Sequence, residues 1–445
     1  MIEIEHIFDH FIQMEVEYEL FNIVDRFNFP CWDFIRTDIY GHYLRNRADV
    51  KKIEVKKSLF DKLKILFLYV YKGITLPNRC SYLFVYTPRF FDDNNRLYDR
   101  VSDDLMGFVK EKSVYINASS NRNYLGTKYK DNTLFIFDIL ARIKSRKVKL
   151  DRHIFDTVYD AIHNTFQIKV DYDTINYFYK RNVIDFYSYK YCLQYLSPKK
   201  VFVSRDRRKG LYHIAKQMGI PTYELQHGTV VYEYPSYSYP RTINSSSNIA
   251  FADYFVEPGE GWGKNNNIPA KKIFVLGNNN FKINSDVEVR HGNYILIISS
   301  PIHGHLLMPF AKQIAEELNI PIVYRLHPSE FKREGDVLDY FSDNNKMIKV
   351  DSHSNMQDLI KDCSLMITVS STVYFEAKTY GKRVAVYKRD NYYTLRSYVD
   401  NSINSCLIDN IDDVKKALEM PEISQGVQFY KPFNEVMARH LVYEL

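Results

Sequence analysis

The second half of the chain alternates short apolar runs with longer amphipathic stretches, and this alternation limits the fold more than any other feature. NYILIISSP, IPIVYRLHP, MIKVD, SLMITVS and KRVAVY are short and β-rich. Between them, HGHLLMPFAKQIAEELN, NMQDLIKDC and TVYFEAKTYG carry apolar residues at helical spacing. Parallel strands cannot be joined by tight turns and need crossovers of this kind, so the pattern predicts a doubly wound sheet. An earlier stretch has the same form: KKVFVSRD, RRKGLYHIAKQMG and IPTYELQHG read as strand, helix with a Gly stop, and strand.

At 445 residues the chain is too long for one ordinary core. The expected fold class is therefore α/β: two Rossmann-like doubly wound domains facing across a cleft, with an N-terminal helical region. The 37 Tyr and 29 Phe residues supply the apolar area that a disordered chain lacks. Sixty Lys and Arg against 54 Asp and Glu give +6, an excess that suits anionic ligands without demanding nucleic acid. Five scattered cysteines with no CxxC argue against a disulfide framework or structural zinc, and for a reducing cytoplasm. MIEIEHIFDHF lacks the form of a signal peptide, and no apolar run approaches the ~20 residues that span a bilayer.

Residues 1–75 read mostly as helix. KKSLFDKLKILFLYVYKG sets Leu59, Leu63, Ile65, Leu66 and Val70 on one side and lysines on another. That stripe reads as core packing, with a peripheral contact to the inner face of a membrane as the alternative. SYLFVYTP and SVYIN read as strands, TLFIFDIL is undecided between strand and helix, and residues 151–195 read as helix. The polar loop PSYSYPRTINSSSN precedes a boundary near residues 265–290. The expected division is an acceptor-side domain over 1–270, a nucleotide-sugar domain over 271–425, and a C-terminal helix over 426–445 packing back on the first.

Four places carry candidate chemistry. Ser370, Ser371 and Thr372 lie where a strand gives way to a helix, whose free N–H groups suit a phosphate. Glu376, one turn on, is placed to accept from ribose hydroxyls; the competing reading is simple capping. In YRLHPSE, His327 emerges at a strand end with Arg325 on the same face, suited to a leaving phosphate. In YELQHGTV, His227 ends another strand as a candidate base, with Asp206 in SRDRRKG competing for that role. Ser300 and His303, in SSPIHG, approach the phosphates by position; His305 reads as an exposed loop residue. There is no GxxxxGK[ST], GxSxG, HExxH or GxGxxG, and no cluster that demands a metal.

The QHG motif, the later HP motif and the Ser/Thr turn followed by Glu376 resemble bacterial surface-polysaccharide glycosyltransferases of the GT-B fold. ADYFVEPGEGWGKNNNIPAKKIFVLGN resembles the segment that links their two domains. The match is nearest to the capsule and O-antigen type, including HP-motif sialyl and Kdo transferases that use CMP donors. Teichoic-acid glycerophosphotransferases are also similar, through His227–Thr229 and the run Ser371, Thr372, Glu376. The resemblance covers roughly residues 195–390. It implies His327 on the donor phosphate, Ser370–Thr372 on the nucleotide, and His227 or an Asp of the first domain as base. The implied activity is inverting sugar transfer from a nucleotide sugar to a glycan or lipid-linked glycan acceptor, with no metal and no cofactor. A CDP-polyol phosphotransferase and a non-catalytic assembly partner are the alternatives.

Overall fold

The computed structural model describes residues 6–45, 67, 69–88, 90–92, 94–118, 126–204, 208–263, 266–279, 292–344, 346–389, 392–423 and 426–445. Leu59, Leu63, Ile65 and Leu66 of the expected amphipathic stripe lie outside them, as does Asp206.

Strands β1 (Tyr82–Tyr86), β4 (Ser113–Asn117), β5 (Asp131–Asn132), β6 (Lys200–Val203), β7 (Thr222–Leu225), β8 (Tyr254–Glu257) and β9 (Lys272–Val275) form one seven-stranded sheet. Its order is β5-β4-β1-β6-β7-β8-β9, and every pair is parallel. Between β1 and β4, a small antiparallel pair, β2 (Phe90–Phe91) and β3 (Leu97–Tyr98), stands apart.

Alternation along the strands decides which side chain meets which layer. Leu83, Val85, Val201 and Val203 face the helices Arg152–Phe166 and Tyr172–Leu196. Tyr82, Phe84, Phe202 and Tyr223 face the opposite side. There, register lines up one ring per strand from Tyr115 through Phe84, Phe202 and Tyr223 to Tyr254, at centroid spacings of 5.6, 5.0, 4.9 and 4.8 Å, and Phe274, two positions beyond the register partner of Tyr254, extends the row diagonally at 5.8 Å. Those spacings follow the distance between paired strands. The C-terminal helix Glu435–Arg439, continuing through Glu444, covers this ladder with Ala438, Leu441 and Val442. Lys200 Nζ donates to the carbonyls of Leu441 and Val442 at 2.9 and 2.8 Å.

The second sheet holds β10 (Tyr294–Ile298), β11 (Ile322–Arg325), β12 (Ile348–Asp351), β13 (Cys363–Thr368), β14 (Val384–Tyr387) and β15 (Ser405–Ile408). Its order, β12-β11-β10-β13-β14-β15, is the 3-2-1-4-5-6 order of a dinucleotide-binding half-sheet pair, again all parallel. The chain is thus an α/β protein of two Rossmann-like domains, the GT-B arrangement. A boundary at 270/271 would cut off β9, which pairs with β8 along its whole length. The boundary therefore falls after Val275. TLFIFDIL resolves into helix Phe135–Lys144, because only Asp131–Asn132 pair in the sheet.

The domains meet through Trp262, whose ring lies 4.3 Å from Phe375 and 5.2 Å from Phe429. The returning segment 428–434 runs along residues 258–278, where Gly277 sits at φ +76° with the Pro432 carbonyl where a Cβ would stand. The N-terminal helices Ile7–Glu17 and Cys31–Ile39 are tied down by buried charges. Arg36 holds Glu15 at 2.6 and 2.8 Å, and Trp32 Nε1 donates to the same carboxylate at 2.8 Å. Asp33 accepts from Lys209, Tyr239 and the Ala250 N–H, anchoring the loop beyond β7. All five cysteines are unpaired thiols.

Removing one partner of a buried ion pair leaves an uncompensated charge, a loss of about 3–5 kcal/mol. Arg36→Met should therefore lower stability by that order in chemical denaturation followed by circular dichroism. Adding Glu15→Gln should recover part of the loss.

Candidate functional site

Strand order locates the site before any side chain is considered. Ligands of open parallel sheets sit outside the carboxyl ends where the order reverses, here between β10 and β13. The turn after β10 is Ser299–Gly304, the turn after β13 is Val369–Thr372, and β11, on the other side of β10, leads into His327. At the usual ~4.8 Å between strands, the ends of β11 and β13 are about 10 Å apart. Ser300, His303, His327 and Ser370–Thr372 therefore occupy one edge.

Glu330 locks the first part of that edge. Its carboxylate is buried, and it accepts from Ser299 Oγ at 3.2 Å and from the His327 N–H at 3.1 Å. One side chain thus pins the ends of β10 and β11 together. Tyr324 donates to Ser299 Oγ at 3.1 Å and to the Gly304 carbonyl at 3.3 Å. A Cβ on Gly304 would stand 2.8 Å from Glu330 Oε1 and 3.1 Å from Ser299 Oγ, so the cradle requires glycine there. Glu330 and the Tyr324 hydroxyl escaped the sequence reading, and Ser299 was read only as part of the turn SSPIHG. The signal for Glu330 was present as a capping box with His in place of Ser or Thr: His327–Pro328–Ser329–Glu330.

His327 is exposed. Its Nδ1 accepts the Ser329 N–H at 3.2 Å and lies 2.8 Å from Ser329 Oγ. A ring nitrogen that accepts leaves the proton on the other. Nε2–H is thus the group turned away from the cap and left for a ligand. His303 is buried, with Nδ1 2.9 Å from Ser300 Oγ, and Ser300 Oγ also accepts the His303 N–H at 3.1 Å. This pair fixes the entry to helix Gly304–Leu318, so Ser300 works mainly within its own turn. His305 is exposed on the first turn of that helix.

After β13, Ser371 Oγ accepts the Val373 N–H at 3.3 Å in the turn that enters the short helix Val373–Thr379. Ser370 and Thr372 have no side-chain partner among the described residues, and their hydroxyls stay open to a ligand. Arg325 forms an ion pair with Asp351 at the end of β12 and leans on the Phe331 ring. It is a braced cation at the sheet edge rather than a mobile one. Glu376 is half-buried at the domain junction, where burial raises its carboxyl above the ordinary value and Arg100 of the first domain partly offsets that.

The first domain brings its own strand ends to the junction. His227 follows β7 and is half-buried; three residues on, the Val230 carbonyl accepts from Tyr398 of the second domain. Next to it, at the end of β8, Glu257 is only 6% exposed, and its Oε1 is enclosed without a hydrogen-bond partner. Burial alone pushes this carboxyl up to about 8. Gln226, whose N–H bonds the Val256 carbonyl, likewise encloses an unpartnered Oε1. A buried, unpaired carboxylic acid at a strand end is a reactive-site feature, and only burial reveals it; YFVEPGEG gives no hint. Among the described residues no group of three or more His, Cys, Asp or Glu is placed to hold a metal.

Neither a protein-family model nor a curated protein matches the chain. Among solved structures, the chain is similar to the UDP-GlcNAc 2-epimerase of Methanocaldococcus jannaschii in complex with UDP-GlcNAc and UDP: 16% identity, 81% of this chain and 99% of that one, TM-score 0.43. MnaA of S. aureus with UDP gives 12% identity, 82% and 96% coverage and a TM-score of 0.43. MurG of Acinetobacter baumannii gives 10%, 81% and 98%, and 0.47. These likenesses are distant, and the fold assignment rests on the two strand orders.

Gly304→Ala should shift Glu330 and Ser299 at a cost of about 1–3 kcal/mol, the range for disturbing a buried polar contact, read as a lower midpoint in urea. For Glu257 the folded value lies above the ordinary 4.5, so the native state holds the extra proton between about pH 4.5 and 8. Stability then falls as pH rises through that window, by up to about 1.4 kcal/mol per unit. Glu257→Gln should flatten that slope in denaturation curves taken across the window, leaving stability near pH 4.5 little changed.

Proposed function

We propose that the chain is a nucleotide-sugar-dependent glycosyltransferase, inverting and metal-independent, acting in surface-polysaccharide synthesis. The supporting observation is the shared carboxyl edge of β10, β11 and β13, where His327, with its Nε2–H left for a ligand, and Ser370 and Thr372, with open hydroxyls, follow strand ends about 10 Å apart. That is a donor-rich place for the phosphate of an activated sugar, and the sheet edge of the first domain stands at the junction beside it.

In this reading a base of the first domain takes the acceptor hydroxyl proton as its oxygen attacks the anomeric carbon from the face opposite the leaving group. The bond from that carbon to the phosphate oxygen breaks with its electron pair, and the nucleotide leaves carrying it. His327 and the Ser/Thr turn stabilise the charge that grows on the phosphate. His227 is the preferred base. Asp206 stays in competition, while Glu257, protonated below about pH 8, serves as a hydrogen-bond donor to the sugar or acceptor. The motif resemblance favours a CMP-linked donor such as sialic acid or Kdo, and a glycan or lipid-linked glycan acceptor.

A thermal-shift panel of CMP, CDP, UDP and GDP tests the donor site. One nucleotide should stabilise the chain by about 2.7 kcal/mol at a hundredfold excess over its Kd. His327→Ala should lower kcat by about 10²–10³, the cost of one charge-stabilising donor, with the unfolding midpoint nearly unchanged. Full turnover in that variant, or no response to any nucleotide, would refute the proposal. A new phosphodiester in phosphorus NMR would instead indicate polyol-phosphate transfer, and conversion of a sugar nucleotide without acceptor would indicate epimerisation.

A further inference from the structure

Helix Phe135–Lys144 carries its apolar stripe on the wrong side for a packed helix. Ile136, Ile139, Leu140 and Ile143, at i, i+3, i+4 and i+7, are 42–68% exposed, while Ala141 on the inner face is fully buried. Next to it the segment 69–74 packs through Tyr69, whose ring meets Phe135 edge-on at 5.5 Å, and through the bond from Thr133 Oγ1 to the Tyr69 carbonyl. That segment turns Tyr71 and Ile74 outward, at 57% and 64% exposure. The two pieces adjoin and together turn six large apolar side chains outward.

Charge indicates what covers it. Arg142, Lys144, Arg146, Lys147 and Lys149 are all exposed at the end of the helix and just beyond. The one carboxylate of residues 135–150, Asp138, is turned inward to Tyr69 and Ser188. A second copy of this chain would set five cations against five. Protein interfaces, moreover, are depleted in lysine. An aliphatic stripe rimmed by cations fits the headgroup layer of an anionic bilayer. We infer that the outward face of helix Phe135–Lys144, with Tyr71 and Ile74, docks the protein on an anionic lipid surface. The inference stands whether or not the proposed reaction is correct.

The test is cosedimentation of the full chain with phosphatidylglycerol–phosphatidylethanolamine vesicles and with phosphatidylcholine vesicles. The expected result is binding to the first alone, weakened by salt. Ile139→Asp with Ile143→Asp should weaken it at least about tenfold, as should Lys144→Glu with Arg146→Glu and Lys147→Glu. Both variants should keep the wild-type unfolding midpoint and nucleotide response, which separates loss of docking from failure of the donor site. Absence of binding to anionic vesicles at low salt would overturn the inference, as would unchanged binding in both variants. A dimer in sedimentation that Ile143→Asp abolishes, without vesicle binding, would assign the face to a second copy instead.

Discussion

Every strand of both large sheets runs in the same direction as its neighbours. That constraint decides where chemistry is available, because parallel pairing sends each strand's carboxyl end, and the turn that follows it, to one edge. The residues that matter come from distant parts of the sequence and share nothing but this edge. His327 and Ser370 are 43 positions apart in the chain but only two strand spacings apart in the second sheet. His227 and Glu257 reach the junction by the same logic in the first.

An edge made of turns must still be held in shape, and the molecule does this with buried polar groups. Glu330 joins two strand ends through one carboxylate. Asp33 and Glu15 do equivalent work elsewhere: Asp33 ties its helix to Lys209 before β7 and to Tyr239 and Ala250 beyond it, and Glu15 holds Arg36, which donates to the Pro235 and Ser238 carbonyls. In each case the carboxylate's partners are donors, so the burial is compensated. Glu257 is the exception: it is enclosed without a donor and loses its charge instead. The contrast separates carboxylates that brace the structure from one that is free for other use.

Most of the sheet architecture was legible in the sequence because its strands are buried on both faces and punctuated by Gly, Pro or polar turns, as in NYILIISSP and IPIVYRLHP. β8 was not: YFVE sits between polar, Gly-rich flanks and reads as a linker until β7 and β9 are seen on either side. β15 and the helix Ile411–Glu419 also went unread, their short apolar runs being broken by Asp and Asn. Helix Phe135–Lys144 was ambiguous because its apolar residues fall on both faces. At the site, His327 and the Ser/Thr turn stood out through motif and position. Arg325 was read as a phosphate-side cation beside His327, and its partner Asp351 comes from a neighbouring strand, a relation only register reveals.

The ring ladder across the first sheet has a consequence for how the molecule is made. Its lid, Ala438, Leu441 and Val442, is translated after the whole second domain. During synthesis the first domain therefore waits with only its own Leu105, Met106 and Val109 against the aromatic row, leaving the rest exposed at the stage when nascent chains are most prone to aggregate. The arrangement thus confines that exposure to the interval between translation of β9 and translation of the C-terminal helix.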